Sequence, residues 1–111
     1  KEDAEAAKLK EDAVALQEAG CFGIVLEKVP APLAQEVAQM LDIPVIGIGA
    51  GPGVDGQVLV FHDLVGMTHK FNPRFLRRYL NLYDDITGAI GQYVKDVKDV
   101  DFPNESESYP S

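Results

Sequence analysis

One cysteine, no tryptophan and ten basic residues against eighteen acidic ones are what this 111-residue sequence has least of. A lone Cys21 excludes an internal disulfide and, with no second thiol nearby, offers no cysteine-based metal pattern. Just ahead of an apolar run, it is expected to pack as a small hydrophobe. The net charge of −8 argues against a nucleic-acid surface, because phosphate binding needs clustered Lys and Arg to displace condensed counterions. The few basic residues gather at Lys70, Arg74, Arg77 and Arg78, which read as a solvated helix face or a subunit contact. No apolar run approaches the roughly 20 residues that span a bilayer, and no signal-peptide pattern precedes the first helical stretch. A soluble protein of the reducing cytoplasm, without membrane or nucleic-acid partners, is the expectation.

What is present is a folding chain. The hydrophobic content of 46% is that of a packed core, and the length suits one modest domain. The sequence opens on Lys1 with no initiating Met, already inside helical sequence, so a fragment or a processed chain is expected. There is no internal repeat and no low-complexity tract.

From Glu2 to Ala19, Ala, Leu, Glu and Lys dominate, with Ala6, Leu9, Ala13 and Leu16 spaced three and four apart, which predicts an amphipathic helix. Gly20 closes it, and the apolar run Phe22 to Leu26 predicts a short strand buried on both faces. Pro32 opens a second helix reaching about Asp42, with Leu33, Val37, Met40 and Leu41 on one stripe. Ile43 to Ile48 repeats the buried-strand pattern, and Val58 to Phe61 predicts a third strand ending on His62 and Asp63. Pro73 to about Tyr83 reads as a helix. Asp84 and Asp85 then begin another, in which Ile86, Ala89, Ile90, Tyr93, Val94 and Val97 form an apolar stripe that must be buried somewhere. From Asp101 the chain turns polar, with Phe102 and Tyr109 as candidate anchors to a neighbour. The division is thus 1–100 as a folded α/β portion and 101–111 as a polar tail. Helices alternating this closely with buried strands call for a parallel sheet with right-handed crossovers. Three strands do not complete one, since a (β/α)8 barrel takes about 250 residues.

The most informative run is Ile24 to Pro30, in which an apolar strand stops on Glu27 just before a helix. At the C-terminal end of a barrel strand such a carboxylate faces substrate and is a candidate base; alternatively, Glu27 caps the helix that follows, favoured there by the helix dipole. Gly47, Gly49, Gly51 and Gly53 invite a dinucleotide-binding reading, but the fingerprint needs glycines at relative positions one, three and six, and position six is Pro52 counting from Gly47 and Val54 counting from Gly49. No Lys-Ser or Lys-Thr follows, so a P-loop is excluded as well. The glycines serve either close approach of a ligand to the backbone or a tight bend. His62 and His69 flank Asp63, yet seven residues across a strand-to-loop boundary define no metal geometry, and hydrogen-bonded structural histidines are the commoner case. No Ser or Cys sits at a nucleophile elbow.

Three segments carry a resemblance. Ile24 to Pro30, Ile43 to Gly51 and Asp55 to Asp63, in that order, resemble the ketopantoate hydroxymethyltransferase family, with similarity continuing into Phe102-Pro103 and the tail. The resemblance implies a (β/α)8 TIM barrel of which this chain supplies the last three strands, the final helices and the C-terminal tail. It implies transfer of a hydroxymethyl group from 5,10-methylenetetrahydrofolate to 3-methyl-2-oxobutanoate, giving ketopantoate for pantothenate synthesis. The family's catalytic glutamate matches Glu27, which would take the proton alpha to the ketone; partial burial is expected to make it a better base. The family's Mg2+ binds the keto acid through ligands on earlier strands, so none is expected in this chain, and an N-terminal half of the same enzyme is the required partner. Gly47, Gly49 and Gly51 would keep the barrel mouth open for substrate, and His62 and Asp63 would support the site. Large homo-oligomers are implied, with the stripe from Ile86 to Val97 as one candidate contact. Two alternatives stand beside this reading: another keto-acid lyase or mutase on the same barrel, and a non-catalytic oligomerisation module.

Overall fold

The computed structural model describes residues 2–111. Two compact units emerge, one comprising the chain to Val60 with Pro73–Leu76, the other Phe61–Asn72 with Arg77–Ser111.

In the first unit, α1 (Glu2–Glu18) begins with Glu2, Asp3 and Glu5 in its first turn, where negative charge complements the helix dipole. It ends as expected at Gly20, whose φ of 100° lets the Cys21 N–H reach back to the Leu16 carbonyl at 3.1 Å. β1 (Ile24–Glu27), α2 (Ala31–Met40), β2 (Val45–Ile48) and the two-residue β3 (Gly56–Gln57) follow. The strands form a parallel sheet in the order β1-β2-β3. Ala13 from α1, Ala34 and Val37 from α2, and Ile24, Leu26, Leu41, Val45 and Ala50 make one buried cluster. Val37 and Val45 are 0% exposed, each worth about 1.5 kcal/mol of apolar burial. Gln17 joins the layers, its side-chain oxygen accepting from the backbone N–H groups of Asp42 and Ile43 at 2.6 and 3.2 Å.

Four expectations change here. Leu16 and Met40, assigned to buried stripes, are exposed; the buried line on α1 runs through Ala13 with Leu9 and Val14 beside it. β1 is buried on one face only: Ile24 and Leu26 point into the cluster while Val25, 62% exposed, and Glu27 point away from it. Phe22, placed in the buried strand, precedes it and is 94% exposed. The third strand is the largest departure. Ile46 and Gly47 pair with Gly56 and Gln57, and the Val58 N–H donates to the Gly47 carbonyl at 3.0 Å. One residue after its last strand position, β2 turns away at Gly49, with φ 65°. The apolar residues after Val58 therefore have no strand to pair with, and Phe61–Leu64 folds as the short helix α3.

In the second unit, α3 is followed by a loop and then by α4 (Leu82–Lys98). The helix expected over 73–83 does not form. The backbone donors of Tyr79, Leu82 and Tyr83 go to the carbonyls of Leu64, Val65 and Gly66 at 2.8, 3.0 and 2.8 Å instead of to residues four earlier, as a helix demands. Arg78, read as part of a basic helix face, holds this loop instead: its guanidinium donates to the carbonyls of Thr68 and Phe71 at 3.1 and 2.6 Å and to the Asn72 side chain. Gly66 has φ 71°, and a side chain there would meet the Leu80 carbonyl. α4 forms where the stripe predicted it, with Asp84 and Asp85 in its first turn and Lys95 and Lys98 in its last, yet it contains no buried residue. Phe102 turns back onto Tyr93, edge to face at 5.6 Å between ring centres. The tail contains a 3-10 turn, Glu105–Glu107, capped by Asn104, while Tyr109 is exposed.

Candidate active site

Glu27 ends β1, and its Cα pairs with that of Ile48, the last residue of β2. The two strands therefore stop side by side at their C-terminal ends, the end of a parallel sheet where ligands bind in α/β proteins. The pleat sets the direction of each side chain. Ile24 and Leu26 face the helices, so Val25 and Glu27 face the other way. Helix capping does not explain Glu27, because Pro30 occupies the N-cap position of α2 and no side chain caps that helix.

Lys28 follows with φ 54° and donates its N–H to the Ile48 carbonyl at 2.9 Å. A lysine in the left-handed region costs of order 1 kcal/mol. The bond to Ile48 fixes the turn that carries the chain from Glu27 toward α2. Nothing in the local sequence signals this conformation, since Gly or Asn is its usual occupant.

Gly47, Gly49 and Gly51 lie at the same end, and protein atoms take up the space their missing side chains leave. A Cβ on Gly47 would lie 2.9 Å from the Val54 side chain, and one on Gly49, 2.8 Å from the Phe75 ring. On Gly51, with φ 78°, it would collide with Ala31 at the start of α2. Gly49 and Gly51 make the tight bend with positive φ, and the groups that approach the three glycines are this chain's own. Two side chains missed by sequence reading tie the loop. Asp55 donates its N–H to the Val45 carbonyl at 2.9 Å while its carboxylate accepts from the Val45 N–H at 2.8 Å, and the Gln57 amide donates to the Gly51 carbonyl at 2.8 Å. The Asp55-Gly56 pair was a legible turn signal; the reach of Gln57 across the loop was not.

His62 and Asp63 do not end a strand. Both lie on α3 in the other unit, where Asp63 is buried and accepts from the Thr68 hydroxyl. His69 stacks on Tyr83 with ring centres 3.7 Å apart. Cys21 is half-buried. Among the described residues no group of three or more His, Cys, Asp or Glu is placed to hold a metal ion. No described helix is long and apolar enough to cross a membrane.

Residues 1–105 match the family model for ketopantoate hydroxymethyltransferase. The 3-methyl-2-oxobutanoate hydroxymethyltransferase of Flavobacterium johnsoniae is 66% identical over 109 residues, covering 98% of this chain and 40% of that protein. Those of Bacteroides fragilis and Christiangramia forsetii are 65% and 63% identical over the same length. The chain therefore spans about two fifths of the length of the curated relatives it matches. With so much of its length aligned at such identity, the chain belongs to the ketopantoate hydroxymethyltransferase family.

Proposed function

We propose that the enzyme containing this chain transfers a hydroxymethyl group from 5,10-methylenetetrahydrofolate to 3-methyl-2-oxobutanoate, giving ketopantoate, and that Glu27 is the base. The observation that carries this is the carboxylate at the C-terminal end of β1, exposed on the sheet face opposite the helices. On this reading the face bearing Val25 and Glu27 looks into a (β/α)8 barrel. Residues 1–100 supply its last three strands and final helices, and 101–111 its tail. Three parallel strands with helices on one face are consistent with a segment of such a barrel. The rest of the enzyme covers the open face.

Glu27 removes the proton alpha to the ketone, and the resulting enolate attacks the one-carbon unit carried by the folate. Gly47, Gly49 and Gly51 contribute to the mouth by letting the β2–β3 loop lie close against Ala31, Val54 and Phe75. On this reading the magnesium ligands belong to the remainder of the enzyme. A cytoplasmic setting fits the single, unpaired Cys21.

The test is Glu27→Gln in the full-length enzyme, assayed for magnesium-dependent ketopantoate formation. Loss of a positioned base should lower kcat by roughly 10²–10⁴-fold with little change in KM. Turnover within about tenfold of the parent enzyme would remove Glu27 from the reaction.

A second reading concerns assembly and rests on α4. Ile86, Ile90, Tyr93, Val94 and Val97 are all exposed, and a stripe of that kind is covered either by the rest of the barrel or by a second subunit. Homo-oligomerisation through it predicts that Ile90→Lys shifts the enzyme to smaller species in sedimentation while Glu27 chemistry persists.

A further inference from the structure

We infer that Gln57 is a positioning residue, its side-chain amide holding the glycine loop in place at the mouth beside Glu27. The inference rests on the proposed role of Glu27 and extends it to a group that does not touch substrate.

The loop leaves β2 beside the end of β1 and returns to begin β3 antiparallel to neither strand, so it must cross back within the seven residues Gly49–Asp55. No helix makes this crossover, and the loop is instead seated at separate points. Gly49 lies against the Phe75 ring, Gly51 against Ala31 and Gly53 against Gln35. Ala31 and Gln35 belong to α2, the helix that follows Glu27. The loop therefore packs on the element that receives the chain from the proposed base, and Lys28 bonds to Ile48 at the point where the loop starts.

Two polar ties close it, and they act at opposite ends. Asp55 engages both backbone groups of Val45, the first residue of β2. It thereby replaces a strand partner at the end of the sheet away from Glu27. Gln57 reaches the other way, from the last position of β3 to the Gly51 carbonyl at 2.8 Å. Asp55 sets strand register, whereas Gln57 sets the place of the loop at the mouth. Glycines with φ of 65° and 78° at 49 and 51 have the widest conformational freedom in the unfolded and loosened loop. A tie at Gly51 restrains that freedom. Gln57 is itself exposed, so removing its amide leaves the buried cluster intact.

The experiment compares Gln57→Leu and Gln57→Glu in the full-length enzyme. Both keep the side-chain bulk, and neither can donate to the Gly51 carbonyl at neutral pH. The expected result is a rise in KM for the keto acid of roughly three- to tenfold, the scale of one lost hydrogen bond, with kcat within about twofold. Amide exchange at Gly51 and Gly53 should accelerate, while the melting temperature stays within about 3 °C. Unchanged KM, with or without faster exchange, overturns the inference, as does a fall in kcat at unchanged KM. Glu27→Gln measured alongside separates the two claims. If it abolishes turnover while the Gln57 variants behave as the parent, only the role of Gln57 fails; if it retains turnover, the reading of Glu27 fails first.

Discussion

The helices α2 and α4 are both amphipathic, yet they differ completely in what they bury. Ten-residue α2 presents Ala34 and Val37 to the sheet, both 0% exposed. Seventeen-residue α4 carries a longer apolar stripe and buries none of it. The first unit contains strands whose inward residues, Ile24, Leu26 and Val45, give a helix an apolar surface to cover. The second contains none. Amphipathic spacing therefore encodes which face of a helix is to be covered, but not what covers it. The candidate chemistry follows the same division, since Glu27 and the glycine loop stand on the region with the sheet.

The largest effect that would sharpen this contrast is in catalysis. Glu27→Gln should lower kcat by roughly 10²–10⁴-fold, whereas His62→Gln, in the α4 region, should leave it within about twofold; a comparable loss from both would dissolve the division. Next comes Gly49→Val, which combines an unfavourable φ of 65° with a clash on the Phe75 ring. A loss of about 2–4 kcal/mol in stability is expected, read as a lower denaturation midpoint, so a raised KM in this variant would report the fold and not a ligand contact. Equal truncations then compare the two helices directly. Val37→Ala should cost about 2 kcal/mol, and Val94→Ala, exposed in this chain, under about 0.5 kcal/mol in the isolated chain. In the full-length enzyme a much larger cost for Val94→Ala would identify α4 as covered there. The smallest expected change is in the stability of Ile90→Lys, within about 0.5 kcal/mol in the isolated chain, with its effect appearing in assembly size.

Much of the fold was legible because local signals agreed. Gly20 ended α1, Pro32 stood in the first turn of α2, and the Asp84-Asp85 pair began the stripe of α4. Glu27 was legible as an acid at a strand end, which needs only the apolar run before it and the prolines after it. Less accessible were features that depend on residues far apart in sequence. The helix expected over 73–83 lost its backbone donors to Leu64, Val65 and Gly66, and β3 stopped where β2 turned away. His62 and Asp63 accordingly moved from a strand end to α3.

The sequence alone determined the helix-strand alternation, the family and the acid at the end of β1, because each is written in contiguous residues whose spacing or chemistry carries the message. Only the tertiary structure decided that Val25 and Glu27 share the face away from the helices, that Phe75 and Ala31 occupy the space beside Gly49 and Gly51, and that Gln57 reaches the Gly51 carbonyl. Those facts follow from strand register and from side chains meeting across the chain, and register is settled by pairing between segments, which no single stretch of sequence contains.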